Sequence, residues 1–513
     1  MKLLLITISF LSLLFGSVHV DSAKILLLPF AFPSHVSFFM NLGQGLTENG
    51  HSLYIGITDT YAKMEGLKKK NVTIITHTEK KETYLTMQSS MEEYLEHSME
   101  RTVIDDFRVN IPGSFESCEN ILEDKEFLKK LEAEKFDLVL VDAFQETRCY
   151  FIIPYLLDVP WASGYTIIEP WLSRNPSLPS AFPYMLGKPY TERMTFWERL
   201  DNIFAIVDFT AWPGVYNMDD NLVRKYAPNK PFMSLNTLAG RSVLWLIHSD
   251  LAIDYARPSM PNEVSVGGIS TKPSKPLEKD LENFVSSAKA GVIVVSFGSI
   301  SANLPKKFED ILMNTFKRLN QKVIMRYPYS PPENIPKNVK LMSWLPQNDL
   351  LGHKNVRIFI THCGASGQFE ALYNGVPMIG MPLFGDQMYN AKRMAYLGYG
   401  IELSVPTVTE ESLYKAINEL WYNPSYLHRI EKASQIFRNQ PMSPKERATY
   451  WLEHILKYGG EHLHTHALDM PWYQYLMLDI FAFLLVAVII IVKLTVSFFK
   501  CMCCRKSVKT KKD

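Results

Sequence analysis

The sequence predicts an α/β protein made of two doubly wound domains that face a cleft, followed by one C-terminal transmembrane helix. Short apolar runs alternate with helical stretches in both halves of the 513-residue chain, as in parallel sheets. A Pro-rich segment with paired glycines, residues 257–276, separates the halves and is the best candidate for a linker. An apolar stretch at 476–499 is long enough to cross the hydrocarbon core of a bilayer.

The composition narrows the functional class. Hydrophobic residues make up 47% of the chain, which excludes a disordered protein. With 54 basic and 53 acidic residues the formal net charge is +1, which argues against a nucleic-acid-binding protein. Six cysteines in a chain of this length do not form a disulfide scaffold. These exclusions leave an ordinary globular protein, a class in which enzymes are common.

The N-terminus has the pattern of a secretory signal peptide. One positive residue, Lys2, precedes an apolar run at 3–15, and small residues follow. We expect cleavage after residue 22, so that the mature chain begins at Ala23 and enters the secretory pathway.

The first half, residues 23–256, begins with a β-α-β pattern. The predicted elements are strands at 24–29, 51–58 and 137–141 and a helix at 36–49. His35 precedes this helix, and Asp142 ends the last of these strands. Residues 150–245 have no clear period, and we expect helices and long loops there.

The alternation is cleaner in the second half, residues 277–470. The predicted strands lie at 291–297, 322–327, 356–361 and 378–381, and the predicted helices at 306–319, 366–374, 387–397, 410–421 and 424–438. In open α/β sheets, ligands bind beyond the carboxyl ends of the strands. Three such positions carry polar or Gly-rich sequence: 298–299, 361–367 and 385–387.

The turn at 361–367 reads Thr-His-Cys-Gly-Ala-Ser-Gly and lies between a predicted strand and a helix. Its glycines allow backbone N–H groups to approach an anion at a helix N-terminus, which favours negative charge. A diphosphate fits this turn. A purely structural turn explains these residues equally well, so the turn alone does not establish an anion-binding site.

A longer ordered motif surrounds this turn. It runs Trp344-Leu-Pro-Gln347-Asn348, then Thr361-His362-Cys363-Gly364, then Glu370 with Gly375 and Pro377, and then Pro382-Leu-Phe-Gly-Asp386-Gln387. The motif resembles the donor-binding signature of the UDP-glycosyltransferases, in particular the membrane-bound UDP-glucuronosyltransferase branch. The resemblance covers essentially the whole chain. It implies a GT-B fold of two Rossmann-like domains, with an acceptor-binding domain at 23–256 and a UDP-sugar-binding domain at 277–470.

The resemblance also implies roles for individual donor-site residues. Trp344 would stack on uracil, Gln347 would hydrogen-bond uracil or ribose, and Glu370 would accept from ribose hydroxyls. His362, the amides after it and Ser299 would hold the diphosphate, and Asp386 and Gln387 would bind sugar hydroxyls. The full predicted donor set is Gly298, Ser299, Trp344, Gln347, Thr361, His362, Gly364, Ser366, Gly367, Glu370, Asp386 and Gln387.

Several of these roles have a structural alternative. Trp344 could be a core tryptophan, Glu370 a solvated helix residue, and Asp386 a helix N-terminal acid matched to the dipole. The chain also departs from the family at Cys363 and Ser366, where glycine and asparagine are usual, which leaves donor affinity and donor choice open. A nucleophilic Cys363 is a further alternative, because helix N-termini lower the pKa of thiols.

By resemblance, His35 and Asp142 occupy the family's catalytic positions. A helix N-terminus disfavours imidazolium and keeps His35 available as a neutral base. Asp142 would hold the His35 tautomer and stabilise the imidazolium that forms. The alternatives are a satisfied loop histidine and a helix-capping aspartate.

The predicted reaction is inverting transfer of glucuronic acid or glucose from a UDP-sugar to a hydroxyl of a small lipophilic acceptor. UDP-sugar is a co-substrate, and neither a cofactor nor a metal is expected, because no Asp-x-Asp motif occurs. The rival interpretation is a non-catalytic, membrane-anchored homologue that binds a nucleotide sugar or a lipophile, for which Ser366 is the best support.

The C-terminal segment predicts a single-pass type I membrane protein. Only Asp479 and Lys493 are charged within 476–499, aromatic residues precede it, and a basic tail at 500–513 follows. The body would then be lumenal and the tail cytosolic. Lys509 and Lys511 resemble a dilysine signal for the endoplasmic reticulum, although a merely basic stop-transfer tail would look similar.

Two modifications are suggested by the lumenal sequence. Asn71-Val72-Thr73 is a glycosylation sequon. Cys118 and Cys149 could form a disulfide, but the sequence does not decide their pairing. Homo- or hetero-oligomerisation also stays open.

Overall fold

The computed structural model describes residues 22–507 except for 60, 64–66, 68–70, 79, 81–113, 166–168, 186–187, 212–219, 299–303, 329 and 333. The chain divides into two compact units, Met1–Leu463 and His464–Asp513. The predicted signal peptide and residues 508–513 of the predicted tail lie outside the described residues, apart from Ser22.

The first sheet is parallel and has seven strands in the order β3-β2-β1-β4-β5-β6-β7. The strands are β1 (Lys24–Leu28), β2 (Ser52–Thr58), β3 (Thr73–His77), β4 (Leu138–Asp142), β5 (Trp161–Tyr165), β6 (Trp245–Ile247) and β7 (Glu263–Ser265). In the register, Leu26 lies opposite both Tyr54 and Val139. Both faces of β1 are covered, which explains why its sequence is an unbroken apolar run.

The sequence pattern missed four strands of this sheet, β3, β5, β6 and β7. β5 contains Ala162, Ser163 and Gly164, whose short side chains give no strand signal. Their size has a packing reason, because a Cβ on Gly164 would lie 3.1 Å from the ring of Phe39. β7 falls within the segment predicted as a linker, 257–276. The domain boundaries therefore stay a prediction.

The second sheet is also parallel, with six strands in the order β10-β9-β8-β11-β12-β13. They are β8 (Val292–Ser296), β9 (Lys322–Arg326), β10 (Val339–Met342), β11 (Val356–Thr361), β12 (Met378–Gly380) and β13 (Gly400–Glu402). The four strands predicted in this half are confirmed to within one residue at each end.

Helices flank the sheets. In the first half they are α1 (Pro33–Glu48), α2 (Ser114–Glu123), α3 (Lys125–Glu134), α4 (Ile152–Leu157), α5 (Pro170–Ser173), α6 (Phe196–Ala211), α7 (Asn221–Tyr226) and α8 (Leu235–Gly240). In the second half they are α9 (Lys279–Ser286), α10 (Lys306–Lys317), α11 (Gln347–Leu351), α12 (Ala365–Asn374), α13 (Gln387–Leu397), α14 (Glu410–Tyr422), α15 (Pro424–Arg438) and α16 (Pro444–Tyr458). α1 begins earlier than predicted, because Pro33 occupies its first turn and brings His35 into it.

α16 returns to the first half of the chain. Its apolar residues Ala448, Leu452 and Ile455 share a buried cluster with Val36 and Leu46 of α1. A Cβ on Gly45 would collide with the hydroxyl of Thr449, so the two helices pack at close range. Residues predicted for the second domain thus complete the core of the first.

Cys118 and Cys149 form a disulfide. It ties α2 to a 3₁₀ helix, Gln145–Phe151, that follows Asp142. This settles a pairing that the sequence left open and fits an oxidising compartment.

The C-terminal unit contains α17 (Trp472–Tyr475) and a long apolar helix, α18 (Leu478–Ser507). The stretch Leu478–Met502 of α18 has a mean hydropathy of 2.8 and is not buried by protein. At 1.5 Å per residue, 25 residues span about 37 Å, more than the hydrocarbon thickness of a bilayer. By length and composition this helix suits a membrane span.

Candidate active site

The carboxyl ends of parallel strands lie along one edge of a sheet, and most of the predicted site residues follow such ends. In the first sheet, His35 lies beyond β1, and Asp142 is the last residue of β4. In the second sheet, the segments after β8, β11 and β12 carry Gly298, the 361–367 turn and Asp386. Ser299 lies outside the described residues.

His35 and Asp142 are buried and hydrogen-bonded to each other, with 2.7 Å between His35 Nδ1 and Asp142 Oδ2. The backbone N–H of Phe30 also donates to Asp142 Oδ2 at 3.0 Å, and that of Phe144 donates to Oδ1 at 3.1 Å. The carboxylate is therefore held in place on both oxygens.

Three aromatic rings surround the imidazole. The ring centroids of Phe144, Phe30 and Phe32 lie 5.4, 5.6 and 6.2 Å from that of His35. These rings restrict the orientation of the imidazole. In the neutral ring, Nδ1–H donates to Asp142, so Nε2 is the nitrogen that can accept a proton.

On the donor side, the ring of His362 is packed between two glycines. A Cβ on Gly298 would lie 2.5 Å from His362 Nε2, and a Cβ on Gly364 would lie 2.6 Å from the same atom. Gly298 also has a φ of +86°, which glycine adopts without strain. Both glycines are therefore needed for the position of the His362 ring.

Burial lowers the pKa of His362 to about 4, and the charge of Arg326 acts in the same direction. His362 is therefore neutral at physiological pH. It can donate a hydrogen bond to a diphosphate but does not bring a positive charge to it.

Cys363 has a φ of +65°, in the left-handed region that favours glycine. This geometry suits glycine, the residue that the family resemblance leads us to expect at this position. Its thiol is fully buried, and burial raises the pKa of that thiol. The nucleophilic alternative for Cys363 is therefore disfavoured, because a reactive cysteine needs an accessible thiolate.

The turn leads directly into α12, whose N-cap is Gly364. The side-chain oxygen of Thr361 accepts from the backbone N–H of Cys363 at 3.2 Å and holds the turn. Ser366 and Gly367 lie in the first helical turn, where the unpaired N–H groups and the positive end of the dipole are found. This geometry suits an anion such as a diphosphate.

Gln347 and Glu370 meet beside this turn. The side-chain amide of Gln347 donates to Glu370 Oε2 at 2.5 Å. Gly367 is on the same helix as Glu370, and a Cβ there would be 3.5 Å from Gln347 Nε2. Burial raises the pKa of Glu370 to about 7, although the Gln347 hydrogen bond opposes this shift.

Trp344 is 67% exposed and presents its ring at the protein surface, so it is not the core tryptophan of the structural alternative. The Arg326 guanidinium lies 5.6 Å from its ring centroid and also donates to the carbonyl oxygen of Gly298. The sequence analysis missed Arg326. The available signal was a charged residue that ends an apolar strand, β9, at its ligand-binding edge.

Asp386 is the N-cap residue of α13, and Gln387 is the first residue of that helix. Asn390 donates to Asp386 Oδ2 at 2.7 Å. The side-chain oxygen of Gln387 accepts from the backbone N–H groups of Leu383 and Phe384 at 2.9 and 3.2 Å. That oxygen is therefore engaged within the protein and supports the loop before Asp386.

Burial raises the pKa of Asp386, while Asn390, Arg393 and His35, in decreasing order, oppose the shift. Phe30, which follows β1, shares a buried cluster with Phe297 and Leu383, which follow β8 and β12. The carboxyl ends of the two sheets therefore face one cleft, as the sequence predicts.

The comparisons with known proteins agree with this geometry. Residues 23–513 match the profile of the family described as UDP-glucoronosyl and UDP-glucosyl transferase. The chain belongs to this family. It is a UDP-dependent glycosyltransferase, as the sequence motif predicts.

Curated relatives of the enzyme cover most of its length. The 2-hydroxyacylsphingosine 1-beta-galactosyltransferase of Mus musculus is 35% identical over 483 residues, which is 91% of this chain and 87% of that protein. UDP-glucuronosyltransferase 1A9 of Mus musculus is 33% identical over 97% of this chain and 95% of that protein. UDP-glucuronosyltransferase 2B7 of Homo sapiens is 34% identical over 77% of this chain and 76% of that protein.

The solved structure of CalG4, the calicheamicin glycosyltransferase, superposes with a TM-score of 0.58 at 17% identity. The superposition covers 85% of this chain and 99% of the CalG4 chain. The glycosyltransferase of kitacinnamycin gives the same TM-score, 0.58, over 85% of this chain and 99% of its own. The predicted GT-B fold is confirmed.

Proposed function

We propose that the enzyme moves a hexosyl group, glucuronosyl or glucosyl, from a UDP-sugar to a hydroxyl of a small lipophilic acceptor, with His35 as the general base. The observation that carries the proposal is the buried 2.7 Å bond between His35 Nδ1 and Asp142 Oδ2 at the edge of the acceptor-side sheet. The names of the relatives support the donor class and include a lipid acceptor.

In the proposed reaction, His35 Nε2 removes the proton of the acceptor hydroxyl. The acceptor oxygen forms a bond to the anomeric carbon while the bond from that carbon to the β-phosphate oxygen breaks. UDP leaves with the electron pair, and the configuration at the anomeric carbon inverts. Asp142 stabilises the imidazolium of His35 and keeps its orientation.

We assign the donor to residues 277–470 and the acceptor to residues 23–256. Trp344 stacks on the uracil face, and Gln347 and Glu370 bind uracil and ribose. The turn around His362, together with Ser299, Ser366 and the first amides of α12, holds the diphosphate. Asp386 binds sugar hydroxyls, with Gln387 supporting it.

The departing UDP carries negative charge that the protein must stabilise. The N-terminal N–H groups of α12 and the Arg326 guanidinium, which contacts Gly298 and Trp344, are suitably placed for this. We therefore propose that the reaction needs no metal ion.

We further propose that the enzyme is a type I protein of the endoplasmic reticulum membrane with a lumenal body. The disulfide between Cys118 and Cys149 supports a lumenal location. Asn71 is exposed just before β3, where a glycan can be attached. The apolar helix α18 and the basic tail that follows it support the orientation.

The test uses microsomes that contain the full chain, UDP-glucuronate or UDP-glucose as donor, and a panel of phenols as acceptors. We expect UDP release that depends on the acceptor, with a matching amount of glycosylated phenol. Thermal stabilisation by UDP without any sugar transfer would contradict the proposal and favour the non-catalytic interpretation.

A further inference from the structure

Helix α6 turns its apolar side to the solvent. At 3.6 residues per turn, five of its large apolar residues fall within about 120° of arc. We call this set the apolar face of α6: Phe196, Trp197, Leu200, Ile203 and Phe204. The sequence of α6 places no polar residue within the same arc. All members of the face except Leu200 are between 41% and 73% exposed.

The opposite side of α6 is polar and is bonded to the rest of the protein. Asn202 is buried, and its side-chain N–H groups donate to the carbonyl oxygens of Pro179 and Phe182 at 2.7 and 3.0 Å. Its side-chain oxygen accepts from the backbone N–H of Tyr184 at 2.8 Å. Rotation of the helix to bury the apolar face would break all three hydrogen bonds. The outward orientation of this face is therefore fixed.

This arrangement is the reverse of an ordinary surface helix, whose apolar side faces the core. Single exposed apolar side chains are common on soluble proteins and need no explanation. A contiguous apolar set on a folded protein instead marks a contact with another protein, a ligand or a membrane. The apolar face of α6 is such a set.

The apolar face is too small to hold two protein chains together. A helix of 16 residues is about 24 Å long and about 10 Å wide. Its face therefore offers roughly 250 Å², whereas a stable protein–protein interface buries about 800 Å² on each partner. A bilayer sets no such lower limit, because a helix that lies in the interfacial layer gains free energy from each apolar side chain that it inserts.

The chain itself brings α6 to a bilayer. Residues 464–477 connect the first compact unit, which contains α6, to the apolar helix α18. Even when fully extended, this connection reaches at most about 50 Å. With α18 in a membrane, the first unit stays near the membrane surface, where its local concentration is high. A further membrane contact then needs little affinity of its own.

The residues of α6 suit a neutral membrane rather than an anionic one. Interfacial helices typically present Trp, Phe and Leu to the lipid, and the apolar face has all three. The single basic residue of α6, Arg199, donates to the carbonyl oxygen of Met194 at 3.0 Å. Glu198, Asp201 and Asp208 are acidic. The helix therefore lacks the basic cluster that attracts anionic lipids.

We propose that the apolar face of α6 is a second membrane contact of this enzyme and inserts into the interfacial layer of a neutral phospholipid bilayer. The proposal rests on the membrane location given under the proposed function, because α18 supplies the anchor. The contact holds the first compact unit against the lipid.

The first experiment places the full-length enzyme in phosphatidylcholine vesicles with or without bromine on the acyl chains, which quenches the emission of tryptophans at the lipid. Trp197→Phe is compared with Trp344→Phe, because both tryptophans are largely exposed. We expect the quenched emission to fall by about half in Trp197→Phe, since Trp472, just before α18, is the other tryptophan expected at the lipid. It should stay unchanged in Trp344→Phe. Equal quenching in wild type and Trp197→Phe would overturn the proposal.

The second experiment introduces a protease site within 464–477, so that the first compact unit is cut from α18 after the full chain has folded in phosphatidylcholine vesicles. With the native face, most of the cut unit should stay on the vesicles even at high salt, because the contact is not electrostatic. Trp197→Gln combined with Phe204→Gln should weaken this binding by at least about tenfold. Leu251→Gln combined with Ile436→Gln alters exposed apolar residues elsewhere and is the matched control.

The possible failures have distinct meanings. Release of the cut unit with its native face would contradict the membrane contact. Release as a dimer that the Trp197→Gln and Phe204→Gln pair abolishes would show that the face joins two copies of the chain, which overturns the lipid assignment. Extraction of the uncut chain by alkaline carbonate would contradict the anchor. Sugar transfer in detergent, which should stay within about threefold of wild type in both double variants, tests the proposed function separately.

Discussion

The acceptor end and the donor end of the cleft are built differently. At the acceptor end, His35 and Asp142 are buried and bonded to each other, and backbone amides hold both oxygens of Asp142. At the donor end, Trp344 is largely exposed, and Gln347 and Glu370 bond to each other. The proposed base is therefore pre-organised, whereas the roles proposed for Gln347 and Glu370 require them to exchange their mutual contact for contacts with the nucleotide.

Because of this difference, we expect substitutions at the two ends to change different kinetic constants. Changes at the acceptor end should lower kcat with little change in donor KM. Changes at the donor end should raise donor KM with less effect on kcat.

The largest effect is expected from Asp142→Asn. The amide favours the wrong tautomer of His35 and does not stabilise its imidazolium, so we expect kcat to fall by about 10² to 10⁴. Steady-state kinetics at saturating donor measure this. Asp137→Asn is the matched control, because Asp137 accepts from the N–H of Lys24 just before β4, at the opposite edge of the sheet. Equal losses in both variants would refute a specific role for Asp142.

A smaller effect is expected from Gly298→Ala. Its Cβ would collide with His362, so the diphosphate turn must shift, and we expect donor KM to rise by about 10- to 100-fold. Gly50→Ala shares a positive φ, +93°, but its Cβ would have no neighbour within 4 Å. Both variants should lose about 1 kcal/mol of stability from backbone strain. A donor KM in Gly298→Ala that matches Gly50→Ala would contradict the packing argument.

Trp344→Ala tests the nucleotide platform. Loss of one stacked base costs about 1–3 kcal/mol, so donor KM should rise by at least about fivefold, while the melting temperature hardly changes because the ring is exposed. Trp197 is 73% exposed and provides the matched control, Trp197→Ala. If donor KM is the same in both variants, Trp344 does not contact the base.

The smallest effect concerns pH. Ribose hydroxyls donate best to the ionised form of Glu370, whose pKa burial raises to about 7. We therefore expect wild-type donor KM to rise by a few-fold as pH falls from 8 to 6, and Glu370→Gln to show a flat donor KM over the same range. A profile with the same slope in Glu370→Gln would assign the pH dependence to another group.

The sequence predicted the second sheet better than the first. β8, β9, β11 and β12 are mostly apolar runs, so their pattern is local. β5 is short and rich in small residues, and β6 and β7 have three residues each, so pairing with their neighbours rather than their own sequence makes them strands.

The same distinction holds for the site. His35, Asp142 and the 361–367 turn follow strand ends and could be predicted from the motif. Arg326 carried a weaker signal as the charged end of a strand. The outward orientation of the apolar face of α6 depends on the hydrogen bonds of Asn202 to residues 179–184, and no local pattern encodes it.

The central claim is that His35 is the base and that the donor site works independently of it. The most direct measurement is kcat and donor KM of His35→Ala beside His51→Ala, a buried histidine just before β2 at the opposite sheet edge. We predict that His35→Ala lowers kcat by about 10² to 10⁴ with donor KM within about threefold of wild type, and that His51→Ala changes neither by more than a few-fold. A kcat in His35→Ala within a few-fold of wild type would contradict the mechanism.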